Sequence, residues 1–210
     1  MSHIPKADRA YLRQLLSSPP INNNPYPRSF RFATPPTLAA ILVPFIFVEG
    51  SWNLLFIHRS VSDEPHSGQV AFPGGRMEKQ DSSPQITALR EAQEEIGLSP
   101  HDVEIIGELP PLLTVTNFEI HPVIGIVPYP YPYQPSPSEV QKIFTIPLEW
   151  LADPLNFHIE ERVLPHPIGK IPTIYYRPYQ GEILWGASAQ IVHALLSLLN
   201  NQASPKFDEA

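Results

Sequence analysis

Apolar and polar positions follow two rhythms along this chain. Thr37 to Val48 and Asn53 to Arg59 are almost continuously apolar around a Gly50-Ser51 turn, and shorter runs of the same kind recur at Gln69 to Phe72, Val103 to Glu108, Ile120 to Val127, Lys142 to Ile146 and Thr173 to Tyr176. Such runs, rich in β-branched and aromatic residues and bounded by turn formers, predict strands. Helical spacing predicts a short amphipathic helix over Lys6 to Leu16, a second starting near Pro84 and stopping at Gly97, and an apolar one over Ala187 to Leu199. The second helix has explicit end signals. Ser82 or Ser83 can cap it, Pro84 suits the first helical position, Gln85 three after Ser82 completes a capping box, and Gly97 stops it.

Strands mixed with a few helices predict an α/β or α+β domain on a mixed sheet. The segments divide into an N-terminal helix with a Pro- and Asn-rich arm over 1–35, a main domain over 36–200 and a C-terminal tail over 201–210. The Pro-rich stretch Tyr129 to Ser138 is expected to be extended, either bordering a ligand with its tyrosines or forming a stiff surface loop.

Bulk properties narrow the function. A chain of 210 residues, 42% apolar and 17% charged, is large enough for one sizeable core. With 14 basic against 21 acidic residues, its net charge of −7 argues against general attraction to nucleic acid. The absence of cysteine removes disulfides, thiolate catalysis and cysteine-based zinc sites. The run from Leu38 to Val48 is broken by Pro44 and too short for an ordinary membrane helix, and no signal-peptide order is visible, so the expectation is a cytoplasmic protein without a membrane partner.

The chemistry concentrates in REAQEEIGL, Arg90 to Leu98. At about 100° per residue, Glu91, Glu94 and Glu95 share one sector of a helix while Ile86, Leu89, Ala92 and Ile96 fall opposite. Like charges three and four apart repel, and a hard divalent cation such as Mg²⁺ or Mn²⁺ would offset that repulsion. A solvated acidic face is the plain alternative. The turn Phe72-Pro73-Gly74-Gly75 just upstream gives the metal reading more weight, because glycine carbonyls can approach a ligand unobstructed.

The stretch GGRMEKQDSSPQITALREAQEEIGL resembles the Nudix box. Its second half, Arg90-Glu91 through Glu94-Glu95 to Gly97, matches; in its first half Asp81 stands where the pattern has Glu, with one extra residue before Arg90. Upstream, LFIHRSVSDEPHSGQVAFPGGR resembles the motif preceding that box in coenzyme A pyrophosphatases, keeping Leu55, Arg59, Ser60, Gly68 and Phe72 to Gly75 but carrying Phe56, Ile57 and Glu64 at altered positions. The resemblance spans roughly Pro36 to Leu199.

It implies an α/β/α sandwich and metal-dependent cleavage of the pyrophosphate of coenzyme A into 3′,5′-ADP and 4′-phosphopantetheine. Glu91, Glu94 and Glu95 would be metal ligands for Mg²⁺ or Mn²⁺, with a Gly75 carbonyl. Glu139 would be the further acid from outside the box, with Glu119 and Glu78 behind it. Arg59 and Arg76 would contact phosphate, and Arg90, Gly74 and Gly97 would be structural within the site. His58 and His66 are given no ligand role. The partner is a small nucleotide substrate, and a homodimer is left open. Two other readings stand: a Nudix enzyme for ADP-ribose, NADH or a nucleoside triphosphate, kept open by Glu64 and the altered upstream motif, and an inactive Nudix module that binds a ligand or protein.

Overall fold

The computed structural model describes residues 9–16, 34–60, 68–164 and 169–201. The fold is built on one long strand, β1 (Thr37–Val48), whose continuous apolar run reflects burial on both faces. Its last residues pair antiparallel with β2 (Ser51–Arg59) through a tight turn in which Glu49 and Gly50 both adopt positive φ. Farther back on that edge, Ala39 to Ile41 pair with β4 (Gly74–Arg76), and β3 (Val70–Ala71) pairs with the end of β2. The other edge of β1 is filled from Thr37 to Phe45 by a parallel partner, β7 (Phe118–Ile126). Outside β7 lie β5 (Glu104–Glu108) and β6 (Leu112–Leu113), and outside β2 lies β8 (Val140–Pro147). A separate hairpin joins β9 (Phe157–Leu164) to β10 (Gly169–Tyr176).

Pro44 interrupts β1 at little cost. The Leu42 N–H donates to Pro73 O at 2.8 Å, so position 44, two on, faces the same edge. There the pairing passes from β4 to β2, where an absent donor breaks no ladder bond.

The helices are α1 (Arg9–Leu16), α2 (Pro84–Ile96), α3 (Leu148–Ala152) and α4 (Gly186–Asn201). Register divides the core in two. On one sheet face Ala40, Leu42, Ile46, Leu55, Ile57 and Val123 pack beneath Ala88, Ala92 and Ile96 of α2. On the other, Val43, Phe45, Leu54, Phe56 and Ile124 pack with Leu12 and Leu16 of α1 and with Val192, Leu195 and Leu199 of α4. Helices on both faces of a mixed sheet make the α/β/α sandwich. No helix among the described residues is long and apolar enough to cross a membrane.

Some elements differ from expectation. Gly74 and Gly75 belong to β4 rather than to a free turn, and the chain bends at Pro73 instead. Gly74 lies so near β1 that a Cβ there would come 2.6 Å from Ile41 Cα. Gln85 completes no capping box, because its amide donates to Glu108 at 3.0 Å while Ser83 alone caps the helix. β9, β6 and α3 carried no sequence signal. The predicted extent of α1 back to Lys6, the arm over 17–33, Glu64, His66 and the tail over 202–210 lie outside the described residues.

Candidate active site

Helix α2 begins where the Ser83 hydroxyl accepts the Ile86 N–H at 3.3 Å and ends where Gly97, at φ 67°, turns its N–H back onto the Ala92 and Gln93 carbonyls. A side chain at that αL position would be strained. Between these ends the buried stripe is Thr87, Ala88, Ala92, Glu95 and Ile96. The packed face is therefore rotated from the expected one: Ile86 is 45% exposed and Glu95 only 2%. The spacing 88, 92, 95, 96 is an ordinary core stripe, and tertiary packing puts a glutamate in it.

That burial governs Glu95. Its carboxylate accepts the Gly74 N–H at 2.9 Å and lies 3.6 Å from the Arg59 guanidinium. Even so, its pKa is pushed up to about 8, chiefly by desolvation, with the charges of Glu91 and Glu139 adding to the rise against the pull of Gly74 and Arg59. Glu91 is also raised, first by burial and then by Glu94 and Glu139, despite Arg90 at 2.9 Å. Its carboxylate occupies the space above Gly75, where a Cβ would come within 2.5 Å of it. Glu94 is exposed and held by Arg90 at 3.0 Å.

Arg90 is the hub of the adjoining network. It donates to both oxygens of Asp81, at 3.3 and 3.0 Å, and to the Arg76 carbonyl at 3.1 Å. Asp81 is buried and also accepts the Thr87 hydroxyl and the Glu78 N–H, each at 2.9 Å. The bonds from Arg90 and Glu78 hold its pKa down at about 2. In the sequence Asp81 stands only as a departure from the box pattern, with no role implied. The available signal was an acid nine positions before Arg90, just ahead of the helix cap.

The remaining predicted residues separate. Arg76 sits opposite Ala39 on β1, one residue out of phase with Gly75, so it points to the face away from α2, where its guanidinium lies 5.3 Å from the centre of the Phe118 ring. It is not brought to the glutamates. Glu119 is paired with His121 at 3.1 Å, and Glu78 with Gln80. His58 turns to the α4 side and binds Glu182 at 2.8 Å, which Lys142 holds at 2.9 Å. Glu139, distant in sequence, does arrive: it is exposed beside the end of β2, and its charge acts on both Glu91 and Glu95. In the Pro-rich stretch Tyr131 and Tyr133 pack on the α2 side of the core, and the Tyr131 hydroxyl donates to Asp102 at 2.9 Å.

Among the described residues no three carboxylates or imidazoles already enclose a point where a cation would sit. The donor set nevertheless suits a hard cation. Three carboxylates acting unfavourably on one another, those of Glu91, Glu95 and Glu139, form an environment that positive charge relieves.

Comparison with known proteins gives a concordant result. Residues 36–165 match the model of the NUDIX domain. An uncharacterized Nudix hydrolase NudL of Pectobacterium atrosepticum is 36% identical over 183 residues, covering 82% of this chain and 92% of that protein. A namesake from Klebsiella pneumoniae is 38% identical over 169 residues, covering 80% and 86%. Among solved structures, a Nudix hydrolase from M. smegmatis, RenU, superposes with a TM-score of 0.49 at 18% identity, covering 63% of this chain and 83% of that one.

Proposed function

The chain belongs to the Nudix hydrolase family, and from that premise we propose that it cleaves the pyrophosphate of coenzyme A or a derivative, using one water and giving 3′,5′-ADP and the 4′-phosphopantetheine fragment. Hydrolysis of a pyrophosphate-containing substrate is the family's chemistry. The choice of coenzyme A rests on the upstream segment: Arg59, Ser60, Gly68 and Phe72 to Gly75 stand at the spacing of the coenzyme A pyrophosphatase motif.

The observation that carries the assignment of the site is Glu95: a nearly inaccessible glutamate, held by the Gly74 N–H, under the charges of two further carboxylates. Glu91 and Glu95, with the Gly75 carbonyl and Glu94 reoriented from Arg90, would hold Mg²⁺ or Mn²⁺. Bound there, the cation would neutralise phosphate charge and acidify a water. Glu139, exposed beside the end of β2, would take the proton of the attacking water. Arg59 touches Glu95 only at 3.6 Å, and its guanidinium can turn to phosphate oxygens. Arg90 fixes Glu91 and Glu94 while Asp81 fixes Arg90. Arg76 is left out because it faces the other side of the sheet.

The test is product analysis. Purified protein is incubated with coenzyme A, ADP-ribose, NADH and a nucleoside triphosphate in parallel, with Mg²⁺ or Mn²⁺ and with chelator. Metal-dependent release of 3′,5′-ADP, fastest with coenzyme A, is the expected result. Preference for another substrate would overturn the coenzyme A assignment alone. Metal binding with no turnover would replace the enzyme by a binding module.

A further inference from the structure

The ladder between β2 and β8 changes step at its end. His58 lies opposite Lys142 but Arg59 opposite Val140, so Gln141 is bulged out of register. Such an insertion bends a strand and re-aims the residues beside it. One position on, the Ser60 N–H donates to Glu139 O at 2.8 Å and the Ser60 hydroxyl donates to Pro137 O at 3.0 Å. The same short segment is tied at its other end to α2: the Ser136 N–H donates to Glu95 O at 2.8 Å and the Gln134 N–H to Ile96 O at 2.9 Å. These are carbonyls at a helix C-terminus, which have no partner inside the helix. Within the segment, Ser136 O accepts the N–H groups of Glu139 at 3.0 Å and Val140 at 2.8 Å. A continuous chain of hydrogen bonds thus runs from Ser60 through residues 136–139 to the backbone of Glu95.

We infer that Ser60 is a positioning residue, whose two hydrogen bonds hold the Glu139 carboxylate at a set place relative to Glu91 and Glu95. The inference rests on the proposed role of Glu139. Ser60 follows Arg59 directly, so one strand end sets both a proposed phosphate contact and, through the segment 136–139, the proposed proton acceptor. The hydroxyl bond lies near the surface and contributes about 1 kcal/mol or less to folding. A shift of about 1 Å in a reacting group, by contrast, can cost up to a hundredfold in rate. Loss of the hydroxyl should therefore separate turnover from stability.

The experiment compares Ser60→Ala, Ser60→Thr, Glu139→Gln and the double variant S60A/E139Q in the full chain. Kinetics are followed on whichever of coenzyme A, ADP-ribose, NADH and a nucleoside triphosphate the unaltered protein hydrolyses fastest. Melting temperature and amide hydrogen exchange over residues 134–140 are read alongside. S60A is expected to lower kcat about tenfold with KM nearly unchanged, to speed exchange in that segment and to leave melting within a few degrees of the parent. S60T, which keeps the hydroxyl, should recover most of both losses, and S60A should have no further effect in the E139Q background. Faster exchange with undiminished kcat in S60A would overturn the positioning role, as would an additive double variant. Full activity of E139Q would instead remove Glu139 from the reaction, and the inference about Ser60 with it.

Discussion

Glu95 faces two opposed demands, since its location strips it of water while its proposed task requires charge. Its ordinary pKa of 4.5 rises to about 8 in the fold, so between those values the folded protein keeps a proton that the unfolded chain has released. Stability then falls as pH rises through that window. In chelator, the melting temperature should decline from about pH 5 to pH 8, and Glu95→Gln should flatten the decline, because an amide can still accept the Gly74 N–H without a charge to bury. Added Mn²⁺ should raise melting more at pH 8 than at pH 6 in the parent and much less in E95Q. The same variant should lose about a hundredfold or more in kcat; turnover near the parent's would remove Glu95 from the metal site. Asp81 has the opposite sign. Its pKa is depressed to about 2, so its contribution is present above the usual carboxylate range and lost as pH falls through 2. Asp81→Asn should cost on the order of 3 kcal/mol at neutral pH, read by denaturant unfolding, because Arg90 keeps a partly buried charge without its main partner. Residue types and spacing made the Glu91, Glu94, Glu95 cluster legible in the sequence. The direction of Arg76 was not legible, because a strand side chain's face depends on a register that local sequence does not specify.

Elements with strong end signals were readable, and those defined by pairing alone were not. Ser83, Pro84 and Gly97 delimit α2 by local chemistry that acts wherever the helix lies. Its buried face, by contrast, was set by contact with β1 and β4, which brought Glu95 inward and left Ile86 out. β9 reads FHIEERVL, with adjacent charges that hide any alternation, and it is extended because all eight of its residues pair with β10. The two-residue β6 likewise pairs with Ile120 and Glu119 of β7. The contact between α2 and β4 gives an element-level prediction. Gly75→Ala would put a methyl within 2.5 Å of the Glu91 carboxylate, so the helix or the side chain must yield. Turnover should fall at least about tenfold, as for a displaced reacting group, with little loss of stability, because the atoms met are the far end of a flexible side chain. Parental kcat in G75A would show that the close approach of Glu91 to β4 has no part in the reaction.

At the scale of the whole molecule, the N-terminal helix is where local pattern and tertiary structure diverge most. Its amphipathic spacing was visible, but the Pro- and Asn-rich stretch after it made a peripheral arm the natural expectation. In the fold Leu12 and Leu16 are almost fully buried in the core shared with α4, and Arg13 pairs with Glu104 on β5. The approach is close because position 107 has no side chain: a Cβ on Gly107 would come 2.6 Å from the carbonyl oxygen of Leu16. Long-range packing of this kind leaves no mark within either segment, since neither the helix nor β5 specifies its partner. If α1 completes the sandwich, Leu12→Ala should destabilise the protein by about 2–5 kcal/mol, the range for emptying a core leucine site. Gly107→Ala should also destabilise it by prying the helix away from the opposite side of the contact. The two losses should combine less than additively, because either change already weakens the one interface. Denaturant unfolding of the single and double variants would decide the matter. Parental stability in both single variants would mean that α1 is a tethered arm, whereas shared, non-additive losses would make it part of the folding unit that carries the glutamates.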